Sequence, residues 1–292
     1  MHKRLLVTGI VFLLPACAFV FVFLLLPIVQ SFYYSLTDWK GIGEYRFIGL
    51  QNYIDISRDK LFTESLKRTL GIGISAAVLA NVIGLGLAII LDQKLKTKKW
   101  LRALFYIPNI IPIVVAAFVW RYILDANSGL LNKFLSGVLH TSVTVPWIDS
   151  PAYVVYAIIL ITVWQMMGPI IIVYLAALQG IPHDLIEAAK IDGAKKIQGF
   201  FKITLPMIAP GITINLLLGL ANGLKLFDLP YALTGGGPAN ASETLSIKIY
   251  RYAFNSGQIS YGMAASFTLT LVILVITLFF LSLSSRYERS SR

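Results

Sequence analysis

Six apolar runs take up most of this chain, at residues 5–28, 69–91, 103–124, 152–178, 207–227 and 261–284. Each is close to the ~20 residues a helix needs to cross ~30 Å of hydrocarbon. A membrane β-barrel would instead show ~10-residue segments of alternating character. The expected fold is therefore all-α: a single polytopic membrane domain over residues 1–292 with six transmembrane helices. Composition agrees, since 13% of residues are charged against ~25% in soluble domains. No internal repeat, low-complexity linker or soluble domain interrupts the pattern.

The net charge of +11 raises the question of nucleic acid, but the positive charges follow the ends of the apolar runs. With a cytoplasmic N-terminus, the inside segments are 1–4, 92–102, 179–206 and 285–292. They hold 14 of the 25 Lys and Arg residues, while the much longer outside loops hold 9. The positive-inside rule then places both termini in the cytoplasm. Nucleic acid is not an expected partner.

The start resembles a secretory signal, and Leu14-Pro15-Ala16-Cys17 resembles a lipoprotein cleavage site. The apolar run continues past it to Ile28, so cleavage would leave a long apolar stub, and an uncleaved first span is expected. Cys17 is the sole cysteine, which excludes an internal disulfide or a Cys-based metal site. His2, His140 and His183 have no ligand spacing, so no metal is expected. The loop over residues 30–68 is the longest outside segment. Its aromatics Trp39, Tyr45, Phe47 and Tyr53 suggest a packed cap rather than a linker.

Between the fourth and fifth runs lies Glu187-Ala188-Ala189-Lys190-Ile191-Asp192-Gly193, then nine residues, then Ile203-Thr204-Leu205-Pro206. Asp184 can cap a helix, with Glu187 reaching back three residues later as in a capping box. Gly193 is a natural helix stop. A second short helix is expected near 195–201, with Leu205-Pro206 opening the fifth span. Small Ala188 and Ala189 let another protein's surface come close to the backbone.

This spacing resembles the EAA loop of ABC importer permeases. Other stretches resemble the carbohydrate-uptake branch, to which the maltose permeases belong. They are Phe47-Ile48-Gly49-Leu50-Gln51-Asn52-Tyr53, Phe105-Tyr106-Ile107-Pro108-Asn109-Ile110-Ile111-Pro112, and Leu233-Thr234-Gly235-Gly236-Gly237-Pro238. The chain lacks the large periplasmic insertion of the biggest maltose-type subunit and resembles the minimal six-span permeases. The resemblance implies that residues 184–206 couple to a cytoplasmic ATPase, through Asp184, Glu187, Ala188, Ala189, Gly193, Ile203, Leu205 and Pro206. It implies a second homologous permease, two ABC ATPase subunits and an extracytoplasmic solute-binding protein, in the cytoplasmic membrane of a prokaryote. ATP and Mg would bind the partner ATPase, and no cofactor is expected on this chain. No Gly-x-x-x-x-Gly-Lys-Ser/Thr occurs, so the chain is not expected to be an enzyme. Gly235, Gly236, Gly237 and Pro238 form either a flexible turn or a loop that meets the binding protein or gates the outer mouth.

Polar residues within spans are costly and usually face a bundle interior. Asn215, Asn222 and Lys225 fall on roughly one helical face, with Asp228 placed to pair with Lys225. Trp164 and Gln165 precede a kink expected at Gly168-Pro169. A sugar path needs ring-facing aromatics and edge-facing amides, which Trp164, Gln165, Asn215 and Asn222 can supply, with Lys225 a further candidate on the path; the alternative is interhelical hydrogen bonding. Gly211, Gly219 and Gly223 suit close helix contact. The expected function is import of a carbohydrate, with a di- or oligosaccharide favoured and glycerol phosphate, polyols and uronic oligomers open. A secondary transporter or channel is the alternative, weakened by the lack of a mid-depth carboxylate cluster. An intramembrane enzyme lacks any catalytic pair in the spans.

Overall fold

The computed structural model describes residues 12–93 and 95–290. The first residues of the first run, and the basic residues Lys3, Arg4, Lys94 and Arg292, lie outside that range. Among the described residues the elements are helical, apart from an isolated antiparallel bridge between Thr37 and Phe47. Four helices are long and apolar enough to cross a membrane: α1 (Phe12–Ser35), α3 (Lys60–Asp92), α7 (Val154–Gln179) and α13, whose apolar part is Ile259–Ser285. The remaining helices are α2 (Gln51–Arg58), α4 (Lys98–Ile110), α5 (Ile113–Ile123), α6 (Leu130–Leu139), α8 (His183–Ile191), α9 (Lys196–Met207), α10 (Ala209–Leu224), α11 (Asp228–Thr234) and α12 (Leu245–Tyr250), the last followed by a π-helical turn over Arg251–Asn255.

Two of the six expected spans are not straight. The third run is a pair, α4 and α5, bent by 99°, and the fifth is α9 and α10, bent by 66°. A proline lies at or just after each break. A residue before proline is pushed out of the helical region, and Ile111 before Pro112 is extended at φ −71°, ψ 125°. In the fifth run the break falls at Ile208 (φ −89°, ψ 4°), and Pro210 lies in the first turn of α10, where a missing N–H costs nothing. Pro206 does not open the fifth span as expected. It lies within α9, after a π-helical turn over Phe200–Thr204, the turn whose i→i−4 bonding a proline interrupts. Helix α7 continues through Gly168-Pro169, where a kink was expected, without a break in its helical bonding. Gly168 instead admits α4: a Cβ there would lie 2.9 Å from the Phe105 carbonyl oxygen.

The chain divides into two compact units, residues 1–63 with 248–271, and residues 64–247 with 272–292. In the larger unit, small residues carry the packing. Gly73 of α3 meets Gly223 of α10, where a Cβ on either would come within 2.8 Å of the other's backbone; Gly219 abuts Ala77, and Gly211 abuts Ala177. Without a hydrophobic drive between helices in lipid, such close backbone contact is what holds them. One buried cluster joins Ala76, Ala80 and Ala88 of α3 to Ile171, Tyr174 and Leu175 of α7. A second joins Ile72, Ala117, Ile158, Ile161, Leu229 and Leu233.

In the smaller unit, the expected cap forms. The Asn52 side-chain amide donates to the carbonyls of Ser35 and Thr37, each at 2.8 Å. Trp39 stacks on Tyr34 at 4.4 Å. Fastening to residues far along the chain was not anticipated. Ser260 N–H donates to Trp39 O at 3.1 Å. Asp59 Oδ2 accepts from the hydroxyls of Tyr252 and Tyr261, and its Oδ1 accepts Leu61 N–H at 2.8 Å.

Candidate functional site: a docking hairpin and a polar cavity

The hairpin comprises α8, a four-residue turn (Asp192–Lys195) and α9. Asp184 falls inside the first turn of α8, not at its cap, so the expected capping box does not form there. Its charge still suits the positive end of the helix dipole. The box-type bond appears one helix later, where Lys195 N–H donates to Gln198 Oε1 at 2.9 Å. Helix α8 stops as expected: Gly193 adopts φ +78°, and the carbonyls of Ala188 and Ala189 accept from Asp192 N–H and Ala194 N–H, both at 2.9 Å. The second helix is longer than expected, running from Lys196 to Met207.

Ile186 and Leu205 anchor the hairpin on the buried cluster around Tyr174 and Leu178. Three of its apolar residues face outward: Ile191 is 85% exposed, Ile197 73% and Phe201 60%. Glu187 is exposed, and Ile203 lines a groove of about 190 Å³ with Ile186, Ala189, Phe200 and Thr204. Clustered apolar exposure on a structured element marks an interaction surface.

A second feature lies among α4, α5, α7, α10 and the start of α11. A cavity of about 340 Å³ is lined by Asn109, Thr162, Gln165, Asn222, Lys225 and Asp228 among its polar residues, with Phe227 at its wall. Gln165 Nε2 donates to Ile111 O at 3.3 Å, a carbonyl freed by the proline break. The predicted path residues therefore separate. Gln165, Asn222 and Lys225 share the cavity. Asn215 does not: it is buried, and its amide donates to Ile170 O at 3.1 Å, which is interhelical bonding. Trp164 is not among the lining residues and meets Trp120 edge-to-face at 5.4 Å. Lys225 and Asp228, expected to pair, both line the cavity without forming an ion pair. Asn109 and Thr162 were missed; the signal available was a polar side chain within an apolar run, the same that flagged Asn222. Asn81 is interhelical, accepting from the Tyr174 hydroxyl at 2.6 Å.

The Gly-Gly-Pro loop is braced by side-chain hydrogen bonds. Gly235 closes α11 in the left-handed region, at φ +63°, and Gly236 follows at φ +91°. Ser242 Oγ donates to Gly237 O at 2.7 Å, lies 2.7 Å from Thr234 Oγ1, and is buried with Glu243 and Thr244.

Apolar helices broken at prolines, a polar cavity between them and an outward apolar hairpin define a membrane translocation subunit. The chain belongs to the family of binding-protein-dependent transport system inner membrane components, which it matches over residues 80–292. It is 35% identical to the trehalose/maltose transport system permease protein MalF of Thermococcus litoralis, across 96% of this chain and 94% of that one. It is 33% identical to the probable starch degradation products transport system permease protein AmyD of Thermoanaerobacterium thermosulfurigenes, across 95% and 94%. Its fold matches a chain of a bacterial ABC transporter involved in the import of the acidic polysaccharide alginate, with a TM-score of 0.84, 25% identity and coverage of 98% and 96%.

Proposed function

We propose that this chain is the permease subunit of an ABC importer that carries a carbohydrate across the cytoplasmic membrane of a prokaryote. Counting each bent pair as one crossing gives six, with both termini in the cytoplasm as the distribution of Lys and Arg favours. In this reading the hairpin over residues 183–207 inserts into a cleft of an ATPase subunit, and ATP and Mg act there. The cavity around Asn109, Gln165, Asn222 and Lys225 forms part of the sugar path, where amides and a hydroxyl meet the sugar's edges. The Gly235–Pro238 loop faces the solute-binding protein or the outer gate. A second, homologous permease completes the pore. The relatives named for maltose, trehalose and starch products support the cargo class.

The observation that carries the reading is the hairpin. It is anchored on the helix core by Ile186 and Leu205 and offers Ile191, Ile197 and Phe201 to a partner. The test is mild-detergent purification through a tag on this chain, with mass spectrometry of what accompanies it. A second six-span permease and a Walker-motif ATPase are expected. A lone chain, repeatedly and at full yield, would overturn the reading in favour of a secondary transporter.

A further inference from the structure

The hairpin and the cavity are built on the same two helices, α7 and α10, yet the shorter route between them is interrupted. Helix α9 meets α10 at the 66° bend by Ile208, and the ends of elements are where a chain hinges. Helices α3 and α7 are unbroken, at 33 and 26 residues.

Three buried polar side chains join α3, α7 and α10. The Tyr174 hydroxyl of α7 donates to Asn81 Oδ1 of α3 at 2.6 Å, and the Asn81 amide donates to Ala77 O of its own helix at 2.8 Å. One turn before Tyr174, the Ile170 carbonyl accepts from the Asn215 amide of α10. Tyr174, Asn81 and Asn215 are each at most 5% exposed. Close packing follows the same lines: a Cβ on Gly84 would come within 2.6 Å of Ile170 Cγ2, and one on Gly219 within 3.3 Å of Ala77 Cβ. Groups packed this tightly shift between discrete arrangements rather than deforming continuously. At one end, Tyr174 belongs to the cluster on which Ile186 and Leu205 of the hairpin rest. At the other, about 12 Å along α3 from Asn81, Gly73 meets Gly223, which stands between the cavity residues Asn222 and Lys225.

We propose that Tyr174, with Asn81 and Asn215, makes α3, α7 and α10 one rigid block that carries movement of the hairpin to the cavity around the joint at Ile208. Tyr174 is a positioning residue. It does not line the cavity, and it sets where Asn222 and Lys225 stand when the hairpin moves. Helix α3 has no direct chain connection to the hairpin, so contact with α7 recruits it, and the Tyr174–Asn81 bond is the polar part of that contact. The proposal rests on the docking reading of the hairpin.

The first test uses the intact complex with Cys17→Ser as background and spin-label pairs at exposed positions, Val82 with Ile172 and Val82 with Leu218. Both distances should be the same with and without bound nucleotide, and a shift of either would overturn the rigid block. The second test separates transmission from stability. Tyr174→Phe alone leaves Asn81 Oδ1 without its donor, whereas Tyr174→Phe with Asn81→Leu removes both polar groups, a change that is nearly neutral for stability. Each variant is reconstituted with its partners in vesicles, and the ATP hydrolysed per sugar imported is measured. That ratio should rise roughly fivefold, the loss of a weak coupling free energy, in the double variant even where its melt matches that of the unmodified protein. An unchanged ratio in a double variant of normal melt would reduce the bond to helix glue and overturn the proposal. Should the double variant fail to assemble, the spin-label distances decide. Failure of the importer assignment looks different, because the unmodified protein would then show no ATP-driven uptake at all.

Discussion

The hairpin over residues 183–207 and the loop over residues 234–245 both connect helices, yet they are built in opposite ways. The hairpin holds its shape with backbone bonds around Gly193 and leaves Ile191, Ile197 and Phe201 in the open. The Gly-Gly-Pro loop turns its polar groups inward, with Ser242, Glu243 and Thr244 at 1% exposure or less. Thr244 Oγ1 donates to Leu226 O at 2.8 Å, and Leu245 N–H donates to Thr69 Oγ1 at 2.7 Å. One segment is closed on itself and the other leaves apolar side chains uncovered, as the proposed docking role requires. Damage to the first should therefore appear as lost stability, and damage to the second as lost coupling in an intact protein.

The largest effect is expected where both properties can be separated by one charge. Glu187→Lys reverses an exposed charge, and exposed substitutions rarely move stability by more than about 0.5 kcal/mol. Removing one side of a desolvated interface pair costs about 2 kcal/mol or more. Membrane insertion and melting temperature should be unchanged, while uptake and substrate-stimulated ATP hydrolysis fall by more than tenfold. Transport at the normal rate would remove the hairpin from the coupling path.

Ser242→Ala should do the reverse. It strips the Gly237 carbonyl of its Ser242 donor, at about 1–3 kcal/mol, while Thr234 keeps its bond to Pro230 O. A thermal melt of the purified complex should drop by several degrees, with ATP hydrolysis per folded complex retained. An unchanged melt would show that the bracing is decorative and would collapse the contrast between the loops.

A smaller effect separates two asparagines of α10. Asn222→Leu should raise the KM for the sugar several-fold without altering yield, because the residue is exposed to the cavity. Asn215→Leu should instead lower yield, because its amide bonds Ile170 across the helix interface. These two residues also show where sequence reading ends. Both are asparagines in one apolar run, seven positions apart, and nothing local tells which one meets another helix. The hairpin was legible because Gly193, Ala188 and Ala189 act through their own backbone and immediate neighbours. The prolines are equally visible in the sequence, but an apolar run does not show where it bends. The third and fifth runs bend at Pro112 and just before Pro210, where each also has a helix to pack against on both sides of the break. The Asp59 contacts could not have been read at all, since Tyr252 is 193 residues away.

Those contacts supply the smallest and most selective prediction. The cap over residues 30–68, like the Gly-Gly-Pro loop, is closed by internal polar bonds, but it includes a carboxylate acceptor, Asp59. Burial alone would raise the Asp59 carboxyl. The Tyr252 hydroxyl, the N–H groups of Phe62 and Leu61 and the Tyr261 hydroxyl outweigh it and hold the group below the usual carboxylate range. A depressed folded pKa stabilises the folded state fully above the unfolded value, near ~3.9, and that stabilisation is lost as pH falls through the folded value. Protease sensitivity near Tyr252 should therefore stay flat from neutral pH to about pH 4 and rise below it. Asp59→Asn keeps an acceptor for the helix N–H groups but removes the titration, so its sensitivity should be modestly higher at neutral pH and should lack the acid rise. The Gly-Gly-Pro loop, braced by hydroxyls, should show no acid step in either protein. A parallel rise there would mean that acid opens the whole molecule and that the two closed loops are not independent.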